Sequence, residues 1–243
     1  MATTLSQSPL LAGQDVYVDS ATQLMPLGTY METNDGRGFR YVKVGVTATV
    51  AGKAYQSPAE DTTNLTLSGG HTIGVVHAIG ATTITTTNTI TLTVNQLAGG
   101  YMSVNKDTGA GQLYKIKGNA ACTGAVAVIY LEDPLRVALD ATSNIIFLPS
   151  PWNGIVIDPG SATGNCVGVA QCVITGGQYG WIQTKGPASA LFTGTGVAGK
   201  AVGLLTSGTS GSLAPAIAGT QIVGHNMGTS ITGEYALINL TLG

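Results

Sequence analysis

This 243-residue chain is short of charge. Only 9% of its residues are Asp, Glu, Lys or Arg, against roughly 25% in an average soluble protein. An isolated subunit ordinarily keeps a well-charged surface to stay dissolved, so the deficit points to a surface that faces other protein, with a neutral, Thr/Ser-covered monomer as the alternative. What charge there is nearly cancels, at a net −2 and a pI near 5.8. The ten basic residues are scattered, and the tightest group (Arg37, Arg40, Lys43) has Glu32 and Asp35 beside it. Nucleic-acid binding needs clustered Lys and Arg to neutralise phosphates, so no nucleic-acid partner is expected.

Long apolar runs are missing too. The stretches 124–131 and 144–148 fall well short of the ~20 residues of a spanning helix, and no membrane partner is expected. The opening Met1-Ala-Thr-Thr-Leu-Ser-Gln-Ser-Pro-Leu has neither the basic nor the apolar region of a secretion signal. Cysteine is scarce: Cys122, Cys166 and Cys172 are odd in number and lack metal-site spacing. Buried free thiols made in a reducing cytoplasm are the expectation, with a Cys166–Cys172 hairpin bridge as the alternative. Aromatic residues make up 6%. Trp152 and Trp181 are the two that could line a sugar-binding surface, although a Trp at a strand end is more often core or subunit interface.

Catalytic patterns are equally thin. The segment Gly194-Thr-Gly-Val-Ala-Gly199-Lys200-Ala201 fits both the dinucleotide and the P-loop glycine spacing. The Ser or Thr that holds magnesium is replaced by Ala201, and no carboxylate follows before Glu234. His71 and His77 are expected on one strand face, roughly 20 Å apart at strand rise, and His225 is solitary. Glu60-Asp61 and Glu132-Asp133 are adjacent pairs, which a strand would point to opposite faces, so neither converges on a substrate. Catalytic residues, cofactor and metal are all expected to be none.

What the sequence does contain is period-two alternation with almost no helical periodicity. Val42, Val44, Val46, Ala48 and Val50 share one face, Ile73, Val75, His77 and Ile79 another, and Ile84, Ile90, Leu92 and Val94 alternate with threonines across 81–95. Such β-branched surfaces suit a pleated sheet. Further strands are predicted at 112–117, 125–131, 144–148, 167–175, 179–184 and 235–242. Turns are marked by Asn34-Asp-Gly36, Ser68-Gly-Gly70, Lys106-Asp-Thr-Gly109, Asn153-Gly154 and Gly176-Gly177. The fold expected is all-β, of sandwich or barrel-like domains.

Residues 1–28 lack a period and are expected to form an extended N-terminal arm, followed by a Thr-rich β domain at 29–148 and a C-terminal β domain at 149–243. A duplication would relate the two domains. Phe39-Arg-Tyr-Val-Lys-Val-Gly45 runs into Val50-Ala-Gly-Lys53-Ala, as Tyr179-Gly-Trp-Ile-Gln-Thr-Lys-Gly186 runs into Val197-Ala-Gly-Lys200-Ala. Chance matches in so biased a composition are the alternative.

These same phrases, Gly38-Phe-Arg-Tyr-Val-Lys-Val-Gly with Val50-Ala-Gly-Lys-Ala-Tyr-Gln-Ser57, and Tyr179-Gly-Trp-Ile-Gln-Thr-Lys-Gly-Pro-Ala-Ser-Ala190, resemble those of capsid decoration (cement) proteins of tailed bacteriophages. The resemblance covers about 36–58 and 124–243. It implies a structural virion protein without an active site, a homotrimer on the outer capsid surface whose partner is the major capsid protein. Such a protein would be made in the host bacterial cytoplasm. The rival expectation is a trimeric tail-fibre or receptor-binding module that grips host glycans.

Overall fold

The computed structural model describes residues 14–66, 69–161, 163–205 and 208–243. Among them the chain is all-β, without helices. In order the strands are β1 Tyr30–Glu32, β2 Gly38–Val44, β3 Ala54–Gln56, β4 His71–Thr72, β5 Thr83–Leu92, β6 Tyr101–Lys106, β7 Leu113–Asn119, β8 Cys122–Leu131, β9 Asn144–Leu148, β10 Asn153–Ile157, β11 Cys166–Val169, β12 Tyr179–Leu191, β13 Ala201–Leu204, β14 Leu213–Pro215, β15 Ile222–Asn226 and β16 Tyr235–Thr241.

The strands form two compact units. One is discontinuous, combining the chain up to Ala59 with Pro151–Gly243; the other is Glu60–Ser150. The expected division into 29–148 and 149–243 therefore places 29–59 in the wrong unit. The cause is strand pairing. β2 lies parallel to β10 and antiparallel to β12, with Trp181 opposite Tyr41, and β3 pairs with β10 and β11.

In the discontinuous unit, β2, β10, β3, β11 and β12 close into a five-stranded barrel. Alternation along β2 explains its filling. Val42 and Val44 point inward with Tyr55, Ile155, Val167, Ala170, Ile174 and Ile182. Phe39 and Tyr41 point the other way, into a second cluster with Trp181, Met31 and Val16. Strand β12 is 13 residues long, so its second half outruns this barrel and pairs with β16 from Lys185 to Leu191. Strands β15, β13 and β14 follow. A parallel bridge from Phe192 to Leu213 brings β14 back beside the end of β12, around a third core that includes Phe192, Leu213, Val223 and Ile238.

The Glu60–Ser150 unit is a six-stranded sheet in the order β4-β9-β6-β7-β8-β5. It curls until β5 nearly meets β4, and side chains span the gap. The Thr87 hydroxyl donates to the Thr72 carbonyl at 3.1 Å, the Thr85 amide to His77 Nε2 at 3.3 Å, and the Thr91 amide to Asn64 Oδ1 at 3.1 Å. Between Thr85 and Thr89, β5 carries two residues more than β8. Because that number is even, Ile90 and Leu92 return to the face of Ile84 and all three are buried.

Several expected strands are shorter than their alternation. β2 leaves the sheet after Val44, and Val46 is 99% exposed. Only His71 and Thr72 of the next stretch are strand, and 167–175 keeps strand only to Val169. Asn153-Gly154 is a bulge inside β10, with Gly154 at φ 76°, where a turn was expected. Ser68 lies outside the described residues, as do residues 1–13 of the arm. Residues 14–28 pack on their own unit: Val16 is in the core, and Ser20 exchanges two backbone hydrogen bonds with Tyr179.

The two copies of the proposed duplication are neighbours in one sheet, since β2 and β12 pair. What does recur is a turn. In Val50-Ala-Gly52-Lys53 the Lys53 amide bonds the Val50 carbonyl at 3.2 Å; in Val197-Ala-Gly199-Lys200 the equivalent distance is 3.1 Å. The glycines sit at φ 75° and 76°, the left-handed third position of a type II turn. Each turn is clipped by one residue. Ala170 accepts from the Gly52 amide and donates to the Lys53 carbonyl, and Asn226 does the same for Gly199 and Lys200.

Candidate functional surface

The residues that tempt a catalytic reading are dispersed. His71 is fully buried, its ring stacked on Phe147 at 5.6 Å, and among the described residues neither ring nitrogen has a partner within good hydrogen-bond geometry. Burial pushes its pKa below the usual histidine value, partly offset by the Asn64 backbone and Asp61. His77 bridges to Leu139 and accepts from Thr85, while His225 is exposed on β15. No group of three His, Cys, Asp or Glu that could hold a metal occurs among the described residues.

The three cysteines are free thiols, with Cys166 buried and the other two half-buried. Desolvation drives the Cys166 thiol up to about 12, which removes it as a nucleophile near neutral pH. Gly196 bridges to Ser230 and Gly199 makes a turn into β13, so the glycine-rich segment starts a strand and lacks the helix N-terminus that would hold phosphate. Glu132 and Asp133 are both exposed where β8 ends. Asp61 caps its own turn, accepting from the Thr63 and Asn64 amides at 3.1 and 2.9 Å.

Of the two tryptophans considered for sugar binding, Trp181 is 2% exposed and edge-on to Tyr41 at 5.1 Å. It is a core residue. Trp152 is half-buried, with the Arg40 guanidinium 5.2 Å from its ring centre. Arg40 also lies over Tyr30 at 5.4 Å and donates to the Gly28 carbonyl at 2.9 Å. This cation–aromatic stack pins the segment before β1 to the barrel.

Charge is unevenly placed. Between Asp61 and Lys106 there is no charged residue, and from Gly186 to the end there are only Lys200 and Glu234. By contrast Glu32, Asp35, Arg37 and Lys185 gather beside β1, with Lys185 to Glu32 at 3.1 Å and Arg37 to Asp35 at 2.7 Å. Hydrogen bonds from Thr33 and then Arg37 hold the Asp35 carboxyl down to about 2.

The neutral C-terminal region has a regular outward face. In β16, Ala236, Ile238 and Leu240 are buried while Tyr235, Leu237, Asn239 and Thr241 face out. Register sets Leu237 beside Ser189 of β12, and the Met227 amide bonds the Leu237 carbonyl at 2.9 Å. Asn239 stands between Pro187 and His225. Tyr235, Leu237 and Met227 are 54%, 53% and 47% exposed, so three large apolar side chains stand open on a face whose strand-borne formal charge is Lys185, opposite Thr241 at the far end of the β12–β16 ladder. Alternation within 235–242 marks the strand, but the sequence cannot say that its Tyr and Leu row is the outer one. Both rows are apolar enough to be core.

No protein-family model, no curated protein and no solved structure matches the chain.

Proposed function

We propose that the chain is a structural, non-enzymatic assembly subunit, in particular a capsid decoration protein of a tailed phage that forms a homotrimer and binds the major capsid protein. The observation that carries this reading is the outer face of β16 and β15, where Tyr235, Leu237 and Met227 stand open and the nearest strand-borne charge is Lys185 at the end of the β12–β16 ladder. Covering such a face gains apolar burial and avoids the several kcal/mol that each buried unpaired charge would cost. Modest contacts repeated on several capsid subunits add up through avidity. The low overall charge and the resemblance of the β2 and β12 phrases to phage cement proteins support the same reading. The glycan-binding alternative loses one of its two aromatic candidates, because Trp181 is buried.

Light scattering on the purified chain tests the assembly. A mass three times 24.5 kDa is expected, and Leu237→Asp with Met227→Asp should weaken self-association or particle binding. Hydrogen exchange and cross-linking on particles that carry the chain test the location. Protected β15–β16 amides and cross-links to the major capsid protein are expected. A monomer whose β16 face stays fully exposed on the particle overturns the proposal.

A further inference from the structure

We infer that an open depression on the Glu60–Ser150 unit binds an acidic saccharide residue. The depression holds about 470 Å³ and is lined by Thr82, Thr83, Asn95, Lys117, Gly118 and Tyr130, with Leu131 beneath. That size is within the range of small-ligand sites.

Three local departures from regular sheet meet there. Ile116 stands opposite Leu131 and Gly118 opposite Tyr130, so Lys117 is the extra residue of a β-bulge. Bulges re-aim side chains and recur beside functional sites. Asn95 has φ 55°, one of only two non-glycine residues with positive φ among those described, a left-handed turn position that Asn tolerates and that sets where its carboxamide projects. Gly118 permits the third feature. A Cβ there would come 2.5 Å from Asn95 Oδ1, so the carboxamide is lowered onto bare backbone.

The polar groups gathered by this geometry are unspent. Among the described residues the side chains of Thr82, Thr83, Asn95, Lys117 and Tyr130 make no hydrogen bond or ion pair. Neighbouring lysines differ: the Lys115 ammonium lies over the Tyr101 ring at 4.9 Å, and Lys106 faces Asp107 at 3.8 Å.

The complement of this lining is specific in kind. The half-exposed Tyr130 ring offers a flat face for the C–H side of a pyranose. Two hydroxyls and a carboxamide donate and accept, as vicinal sugar hydroxyls require. A free ammonium with no carboxylate in the lining favours one negative charge on the ligand. A bare phosphate would leave the aromatic face and hydroxyls unused and would meet only one cation. This inference does not depend on the assembly reading, since the β16 face takes no part in it.

The test is saturation-transfer NMR on the full chain with D-glucuronate, and with D-glucose in parallel. Saturable glucuronate binding is expected, with glucose weaker by about tenfold, the worth of one charge-assisted contact. Lys117→Gln should bring glucuronate down to the glucose level and leave glucose unchanged. Tyr130→Ala should abolish both, and Asn95→Gly, which keeps the backbone conformation, should weaken both. Unchanged melting temperatures show that the variants fold, and the exposed Lys117 keeps the test open if Tyr130→Ala does not. Absence of saturable binding, equal binding of glucose and glucuronate, or wild-type binding by Lys117→Gln and Tyr130→Ala overturns it.

Discussion

The two units solve barrel closure in different ways. The Glu60–Ser150 unit is contiguous, and its β6–β7 and β7–β8 pairs join successive strands. The other unit joins residues far apart: Trp181 pairs with Tyr41, Val156 with Gln56 and Gly168 with Tyr55. Local pairings close short loops early, whereas distant ones require most of the chain to be in place. Each unit also has pairs of the other kind, β4 with β9 in the first and β15 with β16 in the second, but only the discontinuous barrel needs both chain segments to meet before it closes.

The largest effects should separate the units. Trp181→Ala empties a core site where the side chain is 2% exposed and should cost about 3–5 kcal/mol. Hydrogen exchange should then show lost protection in β2 and β12, with the amides of Glu60–Ser150 spared. Phe147→Ala, at a fully buried position of the contiguous unit, should give the mirror image. If either variant loosens both units equally, they fold as one cooperative body and the comparison breaks.

A finer contrast lies in the two Val-Ala-Gly-Lys turns. Alanine at Gly52 or Gly199 meets the same left-handed strain, about 1 kcal/mol. A Cβ at Gly52 also comes 2.4 Å from the Tyr235 ring, whereas Gly199 faces open space. Gly52→Ala should therefore cost about 1 kcal/mol more than Gly199→Ala by denaturant unfolding. Adding Tyr235→Ala should remove that excess. Equal costs for the two single variants would show that the ring yields freely.

Above the range where carboxylates titrate, acid should act on the contiguous unit through His71. Its pKa is lowered in the fold by burial, against an unfolded value of 6.5. Above that pH both states carry the neutral ring and the full stability is present. As pH falls below 6.5 the unfolded chain takes up a proton that the folded barrel resists, and stability declines until the folded pKa is reached. The slope cannot exceed about 1.4 kcal/mol per pH unit for one proton. Asp61 is the carboxylate that faces the ring electrostatically. His71→Phe should flatten melting curves between pH 6.5 and 5, and an unchanged slope would assign the effect elsewhere. The smallest change is expected from Lys185→Ala. Its pair with Glu32 is exposed and screened by solvent, so the denaturation midpoint should barely move.

Particular residues show how much was legible beforehand. Thr-Ile alternation located β5, the Asn144–Leu148 run matches β9, and the Ala125–Leu131 run located all of β8 but its first three residues. Gly36, Gly109 and Gly177 take positive φ at predicted turns. Val46 to Val50 misled, because alternation continues past the point where Gly45 and Gly176 carry the chain out of the sheet. A Cβ at Gly176 would lie 2.2 Å from the Val46 carbonyl, so backbones touch where side chains suggested a strand. The surface candidates were invisible for a related reason: Leu237 and Ile238 are equally apolar, and Lys117 is one lysine among several until a bulge turns it toward Asn95 and Tyr130.

By itself, then, the sequence determined the all-β class, the turns at Gly36, Gly109 and Gly177 and the shortage of charge, because these depend on φ preferences, side-chain branching and composition within a few residues. Only the tertiary structure decided that Gly38–Val44 belongs with the C-terminal strands, that Trp181 is core, and that the Leu237 row looks outward. Those outcomes depend on which distant strand supplies the ladder hydrogen bonds and on the register of that pairing. A one-residue change of register would exchange inside for outside with the same local sequence.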